Sequence, residues 1–397
     1  MKISAVETIP LAHECKIPIA DAVGVNRLRK ALLIKINTDK GLWGIGEAFL
    51  YGCSLQGAKK ILEDQFVSLL IGKNPCSAKE NYELLCWNSM AFGRAGIVKA
   101  LISGIDIALW DIAAKAEGLP VGKLLCKETS CLHLDKIPSY ASGGFYAEGK
   151  DKAALEKEAE AYLKKGYSAV KIKIGRNPSR SDSPLKYLPS SCWGESVEKD
   201  IERIAAVRSV LGNERILMVD SNASFSAQGA MQILPSLIEQ GVAWFEEPIR
   251  FEDEDGLKEL RAAMKGRMQI AGFETAQGDA VFKNLIDGGC VDIVQADIGW
   301  AGGFTGCLKI AELAKKAGKK FSLHSFGSAV HFASSLHLAS CLANTDMIES
   351  EENANALRSA IVKSPFQADP KMAFYVPEKE GLGIELDWDA VHSMRVL

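Results

Sequence analysis

Three acids, Asp220, Glu246 and Glu274, each close a short apolar run, and they recur 26 and 28 residues apart. That interval is the length of one strand, helix and loop, so the chain is constrained to a repeating β/α unit whose strand ends share one rim. The runs are Ile216-Leu217-Met218-Val219-Asp220, Ala243-Trp244-Phe245-Glu246 and Met268-Gln269-Ile270-Ala271-Gly272-Phe273-Glu274. Three like charges converging without a counter-ion would repel one another and lose hydration, and a divalent cation resolves both costs. Oxygen-only ligands suit a hard ion, so Mg2+ is the expected occupant of Asp220, Glu246 and Glu274. One such acid alone would read as an exposed strand-end residue; three at a repeating interval read as a metal site.

From about residue 135 strand-like and helix-like segments alternate. The expected strands are Ile137–Ser142, Ala169–Ile174, Ile216–Asp220, Ala243–Glu246, Met268–Glu274, Val291–Asp297, Lys320–His324 and Asp346–Glu349. Amphipathic stretches such as Lys152–Gly166, Glu198–Leu211, Ala227–Gln240, Asp279–Asp287, Phe304–Ala317 and Ala329–Leu342 lie between them, with Gly166, Gly212 and Gly241 at helix stops. The fold class is therefore α/β, a modified (β/α)7β TIM-type barrel over 135–360 with the last helix replaced or displaced.

Residues 1–130 lack this rhythm. Strand-like Lys2–Pro10, Lys30–Asn37 and Leu42–Glu47 precede helices near 55–72, 77–90 and 95–117, which describes an α+β N-terminal domain. The segment 361–397 has extended and turn signals and is expected to pack back on that domain. Arg176–Glu195, rich in Ser and Pro and including Cys192-Trp193-Gly194, is longer than an ordinary connection and reads equally as a lid or subunit contact and as a plain insertion.

The chain has 397 residues, 47% hydrophobic and 24% charged, with a formal net charge of −3. That balance suits a globular protein with a large core and supplies no basic footprint for nucleic acid or an anionic membrane, so a small-molecule partner is expected. The sequence from Met1 to Glu7 lacks a signal-peptide stretch and no segment reads as a membrane span, so a cytoplasmic location is the expectation. Ten cysteines are scattered without a Cys-x-x-Cys pair; buried reduced thiols are expected, with a zinc site or disulfide framework poorly supported.

At the second barrel strand stands Lys171-Ile172-Lys173, and residues two apart on a strand face the same side. Two ammonium groups beside a metal ion disfavour each other's protonation, and one can serve as a neutral base. Strands six and seven end at Asp297 and His324, neighbours that can form a carboxylate–imidazole pair. His331 and His337 fall on the following helix, and His13, His133 and His392 lie outside the strand register. Lysine and histidine would thus face each other across the metal, which acidifies the α-proton of a bound carboxylate and stabilises the enediolate.

The order Lys171-x-Lys173, Asp220-x-Asn222, Glu246-Glu247-Pro248, Gly272-Phe273-Glu274, Asp297, His324 and Glu349 resembles the mandelate racemase subgroup of the enolase superfamily. The likeness extends over nearly the whole chain, including Ser103-Gly104-Ile105-Asp106-Ile107-Ala108-Leu109-Trp110-Asp111. The resemblance implies that Lys173 is a base with Lys171 tuning it, that His324 oriented by Asp297 is the opposing acid or base, and that Asn222 and Glu349 contact substrate. It also implies that the first acid of Glu246-Glu247 is the ligand, that the N-terminal domain caps the barrel mouth, and that the protein is a homo-oligomer. On that analogy the loops Ala12–Asn26 and Phe49–Ser54 select substrate, with Tyr51 and Arg94 as candidate contacts. Where the family commonly has Gly-Gly-Glu at the third ligand, this chain has Gly-Phe-Glu. Dehydration of a sugar acid is the favoured reaction; racemisation or epimerisation of a 2-hydroxy acid, cycloisomerisation of an aldarolactone, and a catalytically silent metal-binding homologue are the alternatives.

Overall fold

The antiparallel strands β1 (Ile3–Ala20), β2 (Val25–Thr38) and β3 (Trp43–Ala48) form the first sheet of the computed structural model, which describes residues 1–188 and 193–396. β1 and β2 are longer than their hydrophobic patterns suggest. The segment Ala12–Asn26, expected as a loop, is mostly a hairpin ladder, and only Asp21–Gly24 forms its tip. The tip is closed by the Asp21 carboxylate, which accepts from the amides of Val23 (2.9 Å) and Gly24 (2.6 Å). Barrel contacts supply the rest of the order: Ala20 and Tyr146 exchange backbone hydrogen bonds of 2.7 and 2.9 Å, and Arg176 donates to the carbonyls of Asp21 and Gly24. Residues 189–192, including Cys192 of the Arg176–Glu195 stretch, lie outside the described residues; Pro184–Tyr187 forms a short 3-10 helix.

The helix Ile97–Ala116 is buried from Val98 to Ala114 between this sheet and the barrel. Two glycines of β3 make that approach possible, since a Cβ on Gly46 would meet the Gly104 carbonyl oxygen at 2.0 Å and one on Gly44 the Ala108 carbonyl oxygen at 2.2 Å. The polar residues of Ser103–Asp111 fasten the two halves together. Ser103 accepts from the Gly302 amide, Asp106 from the amide and hydroxyl of Thr305, and Asp111 from the amides of Ile45 and Leu382. The tail returns to the first sheet, where the Val396 amide donates to Pro10 and Leu11 bridges Arg395.

Eight parallel strands follow: β4 (Lys136–Gly143), β5 (Ala169–Lys173), β6 (Ile216–Asp220), β7 (Val242–Glu246), β8 (Gln269–Gly272), β9 (Ile293–Asp297), β10 (Lys320–His324) and β11 (Ile348–Glu351). Their spatial order β10-β9-β8-β7-β6-β5-β4-β11 follows the chain and brings β10 back beside β11. Among the described residues seven α-helices connect them, including Glu254–Met264 and Ala329–Ala339, so the architecture is the modified (β/α)7β barrel. β12 (Ala373–Tyr375) pairs antiparallel with β4. The base of the barrel interior is filled by Tyr140, Ala169, Met218, Trp244, Ala271 and Ile293. Period-two alternation then carries the next inward positions, Lys171, Lys173, Asp220 and Glu246, toward the C-terminal rim.

Candidate active site

Register places the charged residues at one level. Lys173 is the Cα partner of Asp220, Asp220 of Glu246, and His324 of Asp297. Glu274 is the exception. β8 stops at Gly272, and a left-handed Phe273 (φ 86°) turns the chain so that Glu274 arrives from the loop. Carboxylate oxygens of Asp220, Glu246 and Glu274 nevertheless lie within 4.8 Å of one another, all buried. The Phe273 ring is itself buried and meets Phe251 edge-on, which offsets the cost of a non-glycine residue at positive φ.

The two lysines occupy different depths. Lys171 is fully buried, 2.5 Å from Glu246 Oε1 and 2.9 Å from Glu349 Oε1. Lys173 pairs with Asp220 and also lines the open cavity. Burial pushes the Lys173 ammonium down, but the Asp220, Glu274 and Glu246 carboxylates together outweigh it and the net shift is upward; Lys171 is likewise held up by Glu246 and Glu349 against burial. The neighbouring carboxylates thus favour the ammonium form of both lysines.

On the opposite side Nδ1 of His324 lies 2.7 Å from Asp297 Oδ2, and its Nε2 lies 3.7 Å from Glu274 Oε2. Asp297 also meets His331: its Oδ1 is 2.9 Å from His331 Nε2 and accepts from the Gly299 amide at 2.7 Å. Burial would raise the Asp297 pKa, but the two imidazoles hold it at about 2. As a carboxylate it can only accept, so both histidines donate to it and His324 presents Nε2 to the site. Burial lowers the His324 pKa, but the Asp297 hydrogen bond and the Glu349 charge leave it raised overall.

Burial, together with the Asp220 and Glu349 charges, raises the Glu246 pKa to about 7 against the pull of Lys171, and burial raises that of Glu274 beside Asp220 further still. Glu246 Oε2 and Glu274 Oε2 are buried without a hydrogen-bond partner, as is Asn222 Oδ1. Orphaned carboxylate oxygens converging on one point are a donor set for a hard divalent cation, and the residues present fit Mg2+.

Above these groups opens a cavity of about 540 Å³, lined on the barrel side by Lys173, Asn222, Glu247, Glu274, His324 and Phe326 and on the cap side by the β1–β2 hairpin and residues 48–52. Tyr51 is placed as expected of a contact residue: its ring stacks on His324 at 5.8 Å and its hydroxyl donates to the Glu274 carbonyl at 3.0 Å. Asn222 reaches the cavity while its amide donates to Asp220 Oδ1 at 2.8 Å. Arg94 does not reach it. That side chain folds back so that Nε donates to the Met90 carbonyl of the preceding turn. Glu349 does not line the cavity either; its carboxylate is taken by Lys171 and the Ser325 amide.

Sequence reasoning missed four residues. His331 is set aside when only strand ends are considered, yet its helix starts five residues after the end of β10 and turns it back onto Asp297. Glu247 would face away from Glu246 in a continued strand, but its φ of 38° breaks the alternation and brings it to the cavity. Phe326 stacks against His324 and carries the Arg29 guanidinium 4.3 Å from its ring centroid. Arg29 spans the two halves through a 2.5 Å ion pair with Glu351; in the sequence it lies between Arg27 and Lys30 just ahead of the expected strand, where nothing singles it out.

Comparisons with known proteins agree with this geometry. Residues 5–126 match the mandelate racemase / muconate lactonizing enzyme N-terminal domain, and residues 154–390 match the enolase C-terminal domain-like family. The chain is 33% identical over 380 residues to arabinonate dehydratase of Saccharolobus solfataricus, covering 91% of this chain and 92% of the relative. It is 30% identical over 410 residues to D-galactarolactone cycloisomerase of Agrobacterium fabrum, covering 100% and 99%. The crystal structure of the 3,6-anhydro-D-galactonate cycloisomerase from Zobellia galactanivorans superposes with a TM-score of 0.85 at 29% identity, covering the whole of both chains. Among the described residues no helix is long and apolar enough to cross a membrane. With both domains matched and the barrel's charged rim assembled in register, this chain belongs to the mandelate racemase/muconate lactonizing enzyme subgroup of the enolase superfamily.

Proposed function

We propose that the protein removes the proton α to the carboxylate of a sugar acid and expels the β-hydroxyl as water, acting as a Mg2+-dependent acid-sugar dehydratase. The observation that carries this reading is the placement of Lys173 and His324 on opposite flanks of the acid triad, one against Asp220 and the other 3.7 Å from Glu274, both open to the same cavity. Asp220, Glu246 and Glu274 would hold the ion. A bound Mg2+ would supply positive charge that acidifies the C–H bond beside the substrate carboxylate and weakens the hold of Asp220 on the Lys173 proton.

Lys173 Nζ, once it has released its own proton to solvent, takes the α-proton as the C–H bond breaks. His324, held as the imidazolium by the Asp297 carboxylate at Nδ1, gives its Nε2 proton to the departing hydroxyl as the C–O bond breaks on the opposite face. Asn222, Tyr51 and Glu247 are placed to orient hydroxyl groups, and the β1–β2 hairpin closes the cavity from above. Lys171 stabilises the floor by neutralising Glu246 and Glu349. Residues 1–130 would serve as the cap, 135–360 as the catalytic barrel and 361–397 as the returning tail of a cytoplasmic homo-oligomer acting on a small carboxylate and not on nucleic acid or membranes.

The relatives named as dehydratase and cycloisomerase support the reaction class, and the latter keep a second reading open in which a ring oxygen is the leaving group. Incubation with Mg2+ and a stereochemically complete acid-sugar panel in deuterated water separates them. A 2-keto-3-deoxy product supports dehydration, α-deuteration without water loss supports racemisation, ring opening or closure supports cycloisomerisation, and silence across the panel contradicts all three.

A further inference from the structure

Far from the acid triad in sequence, three thiols converge. Cys126 lies in the helix Val121–Thr129, Cys131 follows it, and Cys341 lies just past the helix Ala329–Ala339. Their sulfurs all lie within 4.8 Å of one another, with Cys126 and Cys131 closest at 2.7 Å. The sequence spacing hid this group, because 126 and 341 are joined only by the fold. Ser130 turns the chain back through a left-handed φ of 55°, a conformation that disfavours a non-glycine residue, and Cys131 thereby faces Cys126 with its amide donating to the Cys126 carbonyl. Cys341 Sγ comes within 3.5 Å of the Gly122 carbonyl oxygen.

We infer that Cys126, Cys131 and Cys341 form a three-thiolate structural site for a thiophilic divalent cation such as Zn2+, with solvent supplying the fourth ligand. Tetrahedral Zn2+ holds its sulfurs about 2.3 Å from the metal, which spaces the thiolates about 3.7 Å apart, so the Cys126–Cys131 pair at 2.7 Å would open to that spacing on binding. Three sulfurs are the soft donors that Zn2+ takes, whereas the all-oxygen acid triad suits a harder ion. A disulfide between Cys126 and Cys131 is the competing chemistry, but it leaves Cys341 unused. Binding would release the three thiol protons and tie the end of the N-terminal domain, the connection to β4 and the last barrel helix at one point. Cys131 is partly exposed and supplies the entry path.

The test uses the full-length chain, reduced, stripped with a chelator and returned to buffer with excess Mg2+. Co2+ is then added as a spectroscopic probe, because a sulfur-to-cobalt charge-transfer band cannot arise from carboxylates. The expected result is that band at one equivalent, its replacement by one equivalent of Zn2+ that survives dialysis, and protection of Cys131 from alkylation. Cys131→Ser and Cys341→Ser should abolish the band while α-proton exchange persists. Absence of a sulfur band in the reduced wild type, an undiminished band in either variant, or a Cys126–Cys131 disulfide as the state isolated under reducing purification would each overturn the site. Alkylation of the wild type with and without Zn2+ gives the same decision should a serine variant fold poorly.

Discussion

Asp297 Oδ2 lies 2.7 Å from His324 Nδ1, and this bond fixes which ring nitrogen faces the cavity. Replacing Asp297 by Asn keeps the shape but removes the negative charge at Nδ1 that holds His324 as the imidazolium able to give up its Nε2 proton. Turnover of Asp297→Asn is expected to fall by roughly 10²- to 10⁴-fold, the span of one general acid–base contribution, with KM changed far less. Steady-state kinetics on the best acid sugar check this; an unchanged kcat would remove Asp297 from the mechanism.

The same carboxylate provides a pH-dependent stability. Its pKa is about 2 in the folded protein against an ordinary 3.8. Between those values the unfolded chain binds more protons than the folded one, so the stabilisation is present above pH 3.8 and is lost as pH falls toward 2. A depression of that size corresponds to about 2 kcal/mol. Denaturant unfolding of wild type and Asp297→Asn should show a gap of that order at pH 7 that narrows below pH 4; a constant gap would refute the linkage.

His331 donates to the other oxygen of Asp297 and is fully buried. His331→Phe removes that hydrogen bond, worth about 1 kcal/mol net, and so should lower kcat about fivefold while the fold survives. His331→Gln, which keeps a donor, should recover part of the loss. A variant pair with equal kcat would make His331 a packing residue only.

Lys171 and Lys173 should fail in different ways. Lys171→Met leaves Glu246 and Glu349 buried without their cation, and breaking a buried pair from one side costs about 3–5 kcal/mol. A large drop in Tm is therefore expected. Lys173→Ala, at the cavity wall, should lose activity with a smaller change in Tm. Calorimetry on both variants with Mg2+ present distinguishes them, and the reverse ranking would contradict the assigned depths.

Phe273 at φ 86° inverts an ordinary preference. Both Phe273→Ala and Phe273→Gly lose the buried ring, but only glycine occupies that conformation freely, so Phe273→Gly should be the more stable of the two by about 1 kcal/mol. Alanine ahead of glycine in urea unfolding would mean that the turn relaxes on substitution.

Much of this arrangement was legible before the fold. Asp220, Glu246, Lys173, Asp297 and His324 end regular strands, where period-two alternation and the length of a β/α unit determine both side and level. What eluded that logic departs from regular backbone. Glu247 breaks its strand's alternation and His331 lies in the first turn of the following helix, while Glu274, legible as a ligand, arrives from a turn and not from a strand end. Arg94 and Glu349 read as contacts by analogy, but their reach depends on local partners, the Met90 carbonyl for one and Lys171 for the other. The distal part of the β1–β2 hairpin, Ala12–Asn26, read as a loop because its order comes from Tyr146 and Arg176 across the cavity, contacts that no local pattern encodes.

The most direct test is exchange of the substrate α-proton in deuterated water with saturating Mg2+, followed by NMR and mass spectrometry, comparing wild type with Lys173→Ala. Wild type should convert an acid sugar to its 2-keto-3-deoxy product, and Lys173→Ala, still folded, should lose α-proton removal by roughly 10²-fold or more. Undiminished proton removal in Lys173→Ala would contradict the assignment of Lys173 as the base across the Asp220–Glu246–Glu274 site.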